Sequence, residues 1–488
     1  MISQISEKKM HYLRWFILIG WLLLILSLFY DPISHYLTDP NALISPLRNP
    51  IADDPSKCIK IQSECVVDTT YPIATRIFWG KVIPSAILII FVLGHDAWRR
   101  ICPLYFVSQI SVALGLKPLL NIKKNHWLVN NHLYVQFALL FIGLNARILL
   151  INSDRIALGI FFILTILSAI IVVALYGGRS WCHYVCPLGV VQTVLIGPRG
   201  LLGSKGNIKS ANNISQSMCR IIDPETGEEK SNCINCKSSC MDIDAEKSYW
   251  ENIKKPGRRL VHYGYLGLCI GFFSYFFLYA GNWDYYFSGI WHHEVNLASK
   301  ILEPGFYLFD TKINVPKFIA VPYTLAMFVA IACWLCIKIE KNLFSYFKKQ
   351  QPDITSQQVR HRMFSISTFV AFNFFFIYGG RTEIVKLPLP CQFAFDGFIL
   401  LVSSLWLYRT WYRSAEIYKR ESLTPQFRRK LGKLPVDFSG LLKGNSIADL
   451  NPDQLEVLAK VLPTVVKENS LAPSSQQKSS SEAIASGK

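Results

Sequence analysis

Long apolar runs with few or no charged residues constrain this chain more than any other feature of its sequence. A helix rises 1.5 Å per residue, so about 20 apolar residues cross a hydrocarbon core of about 30 Å. Eight such runs occur, at roughly residues 15–30, 78–95, 132–151, 156–176, 260–280, 318–337, 363–379 and 392–408. Because backbone polar groups in lipid must bond within the protein, the sequence predicts an all-α integral membrane protein with about eight transmembrane helices.

The distribution of basic residues predicts the orientation of these helices. The chain has a formal net charge of +18, although 51% of its residues are apolar. With eight spans, the segments 1–14, 96–131, 177–259, 338–362 and 409–488 share one side of the membrane, and they hold 39 of the 51 Lys and Arg residues. The positive-inside rule makes that side cytoplasmic and explains the basicity without nucleic acid as a partner. We expect the cell inner membrane, with an internal photosynthetic membrane as the open alternative.

The predicted spans divide the chain into four segments. They are 1–176, with four helices and an outer loop at 31–77; 177–259, a cytoplasmic loop; 260–408, with four helices and an outer loop at 281–317; and 409–488, a cytoplasmic tail with a disordered end. The 281–317 loop is rich in aromatic residues, which predicts a lid along the membrane interface. Cys58 and Cys65 in the first outer loop form a disulfide or remain free thiols.

Cysteines with characteristic spacings mark the 177–259 segment. It contains Cys182-x3-Cys186-Pro187 and Cys233-x2-Cys236-x3-Cys240, with Cys219 between them. Bacterial ferredoxins bind their clusters through C-x2-C-x2-C-x3-C-P, and both runs reproduce parts of this pattern. We therefore predict that these thiolates bind the iron of a [4Fe-4S] cluster on a ferredoxin-like loop. Tetrahedral zinc is the main alternative, since C-x2-C also suits that metal.

The number of cysteines limits the number of clusters. Seven lie on the predicted cytoplasmic side: Cys102, Cys182, Cys186, Cys219, Cys233, Cys236 and Cys240. Two [4Fe-4S] clusters need eight ligands, so the chain has enough for one cluster and is one short for two. Cys336, near the inner end of the sixth run, is a candidate for the eighth ligand, although a cysteine in a span is more often a small apolar filler.

A short repeat surrounds two Cys-Pro pairs. The segment Asp96–Leu104 follows the second run, and Arg179–Leu188 follows the fourth. Aligned on Cys-Pro, Trp98 takes the place of Cys182, so the first copy keeps one of the two cysteines. The similarity indicates either a duplicated pair of spans or a chance likeness of two interfacial turns.

On these motifs, the chain resembles the membrane-bound four-iron ferredoxin family that includes the NapH, NosR and CcoG types of bacterial respiratory and maturation proteins. The resemblance covers roughly residues 78–260. It departs from the pattern at Trp98, at Lys230 in place of a first cysteine, and at Met241 where a proline would follow Cys240. Membership would imply a carrier of electrons between quinols, clusters and partner proteins.

Histidines provide further candidate ligands. His95, His132 and His262 fall near cytoplasmic ends of spans, where they could ligate a haem or simply bond water and headgroups at the interface. His292 and His293 lie in the aromatic outer loop, where they could accept protons from an oxidised quinol or face water. Haem is therefore not excluded by the sequence.

The function expected from these features is membrane-bound electron transfer. No nucleotide-binding motif occurs, so the electron donor and acceptor must be separate molecules. We expect [4Fe-4S] clusters to pass electrons between the quinone pool and a redox partner, which is a membrane protein or an acidic soluble carrier attracted by the basic face. Such a chain could form part of a quinol-linked oxidoreductase. A redox-sensing regulator or metal-reducing assembly factor is the alternative, and a transporter ranks last, because the spans hold almost no charges.

Overall fold

The computed structural model describes residues 7–39, 58–66, 69–203, 220–222, 229–231, 244–294, 297–419 and 421. The chain divides into two compact units, Met1–Ser414 and Ala415–Lys488. In the second unit, residues 415–419 form a helical turn. The predicted disordered end of the tail lies outside the described residues.

The first unit is mostly helical. Its described α-helices are α1 (Glu7–Phe29), α2 (Ser34–Thr38), α3 (Ile73–Ile77), α4 (Ile83–Ile101), α5 (Pro103–Ser108), α6 (Ile110–Ala113), α7 (His126–Ala146), α8 (Arg155–Tyr176), α9 (Leu188–Ile196), α10 (Ala245–Asn252), α11 (Pro256–Ala280), α12 (Asp284–Phe287), α13 (Lys317–Gln350), α14 (Ser356–Asn373), α15 (Arg381–Ile384) and α16 (Leu389–Trp411). Its described π-helical turns are Phe78–Val82, Arg147–Ile151, Trp181–Val185 and Phe374–Gly379, and its described 3-10 turns are Ile122–Lys124, Ile290–His292 and Ser299–Leu302.

Three antiparallel hairpins complete the described structure. Their strands are β1 (Ile59–Ile61) with β2 (Glu64–Val66), β3 (Arg220–Ile222) with β4 (Glu229–Ser231), and β5 (Pro304–Leu308) with β6 (Thr311–Pro316). In the first hairpin Lys60 pairs with Cys65, and a disulfide joins Cys58 to Cys65 with their Cα atoms 5.4 Å apart. Of the two alternatives for these cysteines, the structure therefore contains the disulfide.

Within the described residues, eight helical segments are long and apolar enough to cross a membrane. They are Lys9–Phe29, Ile73–His95, His126–Ile151, Arg155–Tyr176, Pro256–Ala280, Lys317–Gln350, Ser356–Ile384 and Leu389–Trp411. Each contains nearly all of one apolar run, and most extend beyond it. The prediction of a mainly helical chain with about eight candidate membrane spans is thereby confirmed, whereas their insertion in a membrane, the identity of that membrane and the orientation remain predictions.

The helix α11 lies at the centre of the bundle. It is the most buried of the eight candidate spans, and it packs against α7, α9, α13 and α14. Its side chains Phe272, Phe273, Tyr275 and Phe276 are buried in the main hydrophobic cluster. The apolar side chains of α11 are covered by the neighbouring helices and not by lipid. Their packing therefore fixes the positions of those helices around α11.

Two glycines allow α11 and α13 to approach each other closely. Gly267 and Gly271 are spaced as in G-x-x-x-G, the small-residue pattern of packed membrane helices. A Cβ atom on Gly267 would lie 2.5 Å from the carbonyl oxygen of Phe328, and one on Gly271 would lie 2.8 Å from the Cβ atom of the same residue. The first contact is with backbone, so it can be relieved only by moving a helix.

We expect Gly267→Ala to separate α11 from α13 and destabilise the protein by about 1–3 kcal/mol, the usual range for overpacking. Thermal unfolding in detergent measures the change. Gly143→Ala is the matched control, because Gly143 is a helical glycine in a span and a Cβ atom there would meet no atom within 4 Å. Equal unfolding temperatures for the two variants would contradict the close approach.

The segment after the second Cys-Pro pair differs from the loop that we expected at 177–259. Residues 188–196 form the helix α9, and every side chain from Gly189 to Ile196 is buried. Val190, Val194 and Leu195 belong to the main hydrophobic cluster. A run of nine residues is too short to cross a bilayer, but its apolar side chains are removed from water when it packs inside the bundle.

The aromatic segment 281–317 packs in part against the helical bundle. Tyr285, Tyr286 and Trp291 are buried in the main hydrophobic cluster. The indole N–H of Trp291 donates to the carbonyl oxygen of Tyr286, and the Tyr286 hydroxyl donates to that of Gly379. These aromatic side chains therefore find partners inside the protein, and the position of the segment as a lid along the membrane interface stays a prediction.

Candidate metal centre

Both Cys-Pro pairs lie in turns of the same shape. The helix α4 is kinked at Gly94, whose φ is 77° and ψ is −173°, and the helix α8 ends at Gly177, whose φ is 71° and ψ is 178°. These are conformations that glycine adopts at little cost. After each glycine the chain continues as a short helical stretch that ends at a cysteine. The two cysteines have nearly the same extended backbone conformation, with φ −60° and ψ 115° at Cys102 and φ −55° and ψ 121° at Cys186.

Each turn is also held by the segment that follows the other turn. The glycine in each copy interrupts a helix and leaves carbonyl groups without their helical partners. Leu201 donates its N–H to the carbonyl oxygen of Phe91 (3.1 Å), and Leu120 donates to that of Leu175 (2.7 Å). This reciprocal bonding supports a duplicated pair of spans over a chance likeness of two turns.

Hydrogen bonding corrects the alignment of the two copies. The N–H of Cys102 donates to the carbonyl oxygen of Trp98, four residues earlier, whereas that of Cys186 donates to Trp181, five residues earlier. The second copy therefore holds one extra residue, and its π-helical turn Trp181–Val185 accommodates it. Trp98 thus corresponds to Trp181 and not to Cys182, whose counterpart in the first copy is Arg99.

Three cysteine side chains meet at these turns. Burial raises the pKa of Cys102 to about 12, and the neighbouring Cys182 contributes to that shift. Burial also raises the pKa of Cys186, with Cys182 and Cys102 adding to the effect. The three sulfur atoms are therefore close enough to disfavour each other's thiolate form, so a bound metal centre would be needed to hold all three as thiolates.

Polar hydrogens are directed at all three sulfurs. The backbone N–H groups of Leu104 and Tyr105 lie beside the Cys102 thiol and those of Leu188 and Gly189 beside the Cys186 thiol, although the Gly189 N–H also donates to the carbonyl oxygen of Cys186 (2.9 Å). Each of these pairs belongs to the first turn of a helix, where N–H groups lack intrahelical partners and favour negative charge. These N–H groups lower the pKa of both thiols and so oppose part of the effect of burial. Hydrogen bonds to ligand sulfurs are also one of the features that set iron–sulfur reduction potentials.

Arg179 supplies the hydrogen bond to the third sulfur. The pKa of Cys182 is raised by burial and lowered by the charge and side-chain hydrogen bond of Arg179. The guanidinium also lies 4.8 Å from the centre of the Tyr105 ring, so it joins the two turns. Sequence reasoning missed this residue. The sequence did contain a signal for it, because Arg179 directly follows Gly177-Gly178 and precedes the candidate ligand Cys182 by three residues.

These features fit a multinuclear cluster. The three cysteine thiols lie near enough to affect one another's pKa, polar N–H groups lower the pKa of each, and Arg179 adds a positive charge beside Cys182. Within the described part of the chain, no three His, Cys, Asp or Glu side chains lie together in a group that could hold a metal ion. Zinc stays the alternative, since its other candidate ligands Cys233, Cys236 and Cys240 lie outside the described residues.

One comparison with known proteins bears on this site. Residues 160–205 match the family model of a 4Fe-4S binding domain. The match supports a relation to iron–sulfur proteins of the ferredoxin type over these residues. The matched segment, called the 4Fe-4S domain below, spans most of α8, the second Cys-Pro turn and α9, and its two cysteines are Cys182 and Cys186. No curated protein and no solved structure matches the chain.

The remaining predicted ligands have different positions. A [4Fe-4S] cluster needs four ligands, so two must come from outside the two cysteines of the 4Fe-4S domain, and the structure brings Cys102 to them. Cys219, Cys233, Cys236 and Cys240 lie outside the described residues. Cys336 lies on α13 near Tyr263 of α11, and its role as an eighth ligand stays a prediction.

Two of the three histidines proposed for a haem line the same cavity, and the third is not among the residues of its wall. His95 and His132 line one cavity beside Cys182, with Nδ1 of His95 2.8 Å from Oε1 of Gln192. His262 is fully buried elsewhere on α11, and its ring stacks on Phe364 with the centroids 3.9 Å apart. The haem hypothesis remains a prediction, with His95 and His132 as the pair brought together.

The outer histidines are buried rather than facing water. His292 stacks against Trp291, with their ring centroids 3.4 Å apart, and burial lowers its pKa well below the usual value. Nδ1 of His293 lies 2.6 Å from the carbonyl oxygen of Thr69. These contacts hold the outer segment together, and proton acceptance from a quinol stays a prediction.

Proposed function

We propose that the protein is an integral-membrane electron carrier whose [4Fe-4S] cluster is held by Cys102, Cys182, Cys186 and one cysteine of the 219–240 segment. The convergence of the first three sulfurs at the ends of two membrane helices carries the proposal, and the 4Fe-4S domain supports it. Seven cysteines on this side leave room for a second cluster only if an eighth ligand, such as Cys336, takes part.

The bound cluster would supply a one-electron redox couple. The chain would supply four cysteine sulfurs as ligands. Backbone N–H groups of Leu104 and Leu188 lie beside Cys102 and Cys186, and the positive charge of Arg179 lies beside Cys182. Burial of Cys186 keeps water from the sulfur. Because the negative charge of a cluster grows on reduction, donated hydrogen bonds and positive charge favour the reduced form.

The redox partners follow from where the centre lies along the spans. Cys102 follows the α4 span and Cys186 follows the α8 span, so the cluster would sit at one membrane surface. We propose that the cluster exchanges electrons with a membrane quinone and with a second partner, which is an acidic soluble carrier or a membrane protein. The positive-inside pattern supports a cytoplasmic location, where basic residues would steer an acidic carrier.

Purification under anaerobic conditions tests the proposal directly. We expect about four or about eight iron atoms per chain with equal acid-labile sulfide, and an electron paramagnetic resonance signal of a reduced [4Fe-4S] cluster. A short-chain quinol or a low-potential carrier is expected to reduce the cluster. Stoichiometric zinc without iron would contradict the cluster, and a cluster that reacts with neither reductant would instead favour a sensing or assembly role.

A further inference from the structure

A polar cavity lies beside Cys182, where α7, α9 and α11 meet the residues that follow the Gly94 kink. It is a small cavity, with a volume of about 20 Å³, that opens to the surface. Arg179 and Arg258 line it together with the hydroxyl groups of Thr193 and Ser248. Among the described residues that form its wall, none is Asp or Glu. The lining therefore combines positive charge and hydrogen-bond donors without a compensating carboxylate.

Arg258 is the residue that most requires a partner. It is only 4% exposed, its Nε atom is buried, and this atom has no hydrogen-bond partner in the described part of the protein. A buried cation without a counter-charge is costly, so such groups are normally paired. The residue also lies in the first turn of the 25-residue helix α11, whose N-terminus favours an anion.

We propose that this cavity binds a phosphate group, either as free phosphate or as the headgroup of an anionic lipid. A guanidinium donates to phosphate oxygens through charge-assisted hydrogen bonds, and its fork geometry matches two of those oxygens. The hydroxyls of Thr193 and Ser248 supply further donors in the same cavity. Both sources share the phosphate chemistry, and the position of Arg258 at the start of a membrane span makes both accessible.

An anion in this cavity would also be near the metal centre. Arg179 lines the cavity and at the same time donates a hydrogen bond to Cys182. The bound phosphate and the Cys182 sulfur would then both interact with the positive charge of Arg179. Even so, the phosphate site depends on Arg258 and not on iron, so it goes beyond the proposed electron-transfer function and can be tested separately.

Equilibrium dialysis with radiolabelled inorganic phosphate tests the free-phosphate source, using the full-length protein in detergent. We expect one saturable site per chain in the wild type, at least about tenfold weaker binding in Arg258→Gln, and partial recovery in Arg258→Lys, which keeps the charge but loses the fork. Lys341→Gln is the matched control, because it removes one exposed positive charge from α13, on the same predicted side and away from the cavity. Its affinity is expected to match the wild type.

Native mass spectrometry tests the lipid source, after reconstitution with phosphatidylglycerol or phosphatidylcholine. Retention of one phosphatidylglycerol by the wild type and by Lys341→Gln, but not by Arg258→Gln, would support the lipid headgroup as ligand. The proposal is overturned if neither phosphate nor phosphatidylglycerol binds saturably, or if Arg258→Gln binds as the wild type does while its unfolding temperature shows that it is folded. Iron measured in the same samples separates this result from the proposed function, since a phosphate site in iron-free protein would contradict only the cluster.

Discussion

Replacing Cys102 by serine is expected to remove the iron–sulfur cluster as completely as replacing Cys186. Both side chains belong to the three-cysteine group at the two turns, and backbone N–H groups of the helix that follows lower the pKa of each thiol. Loss of one ligand leaves a cubane with an unprotected iron in a site that cannot rearrange, since the two turns are fixed by hydrogen bonds to each other's following segments. We expect the four irons and the acid-labile sulfide of this cluster to be lost in either variant.

The prediction for Cys102 is the more informative of the two. This residue lies outside the matched 4Fe-4S domain, in the copy of the turn that lacks the second cysteine. Cys269→Ser is the matched control, because Cys269 is also buried but lies on α11, where its Sγ atom is directed at the carbonyl oxygen of Ala371. Iron, sulfide and the paramagnetic signal are measured in each variant. Wild-type iron in Cys102→Ser would exclude Cys102 as a ligand and leave all remaining ligands to the 219–240 segment.

The positions of the eight spans could be predicted from the sequence because each is a local property. A run of about 20 apolar residues specifies a membrane helix without reference to any other part of the chain. The short apolar run at 188–196 carried no such information, since a segment of this length suits a strand, a buried helix or a turn. Its burial in the bundle depends on residues such as Phe372 and Trp406, far away in sequence.

The metal centre was predictable in its residue types but not in its assembly. The C-x3-C-P spacing identified Cys182 and Cys186, and the first Cys-Pro pair identified Cys102. The correspondence of Arg99 to Cys182 was hidden, because a π-helical turn absorbs one extra residue and only the hydrogen-bond pattern reveals it. Arg179 was likewise hidden, because a buried arginine and one facing the headgroups look the same in a sequence.

Replacing Glu340 by glutamine is expected to cause the largest loss of stability among substitutions away from the metal centre. Glu340 is buried on α13, and it accepts hydrogen bonds from Arg259 at 2.7 Å, Arg360 at 3.0 Å and the Tyr263 hydroxyl at 2.8 Å. It thus joins α11, α13 and α14. The substitution keeps the shape but leaves two arginines facing each other without a counter-charge, which costs about 3–5 kcal/mol when one member of a buried ion pair is removed.

Unfolding of the purified protein in a titration with denaturing detergent would measure this loss. Glu251→Gln is the matched control, since Glu251 also pairs with a basic residue, Lys247, but both side chains are about half exposed. A surface pair of this kind contributes about 0–1 kcal/mol, so the control should unfold close to the wild type. If Glu340→Gln unfolded with the control, the three helices would have to be held by apolar packing alone, and Gly267 rather than Glu340 would then determine how α11 and α13 are joined.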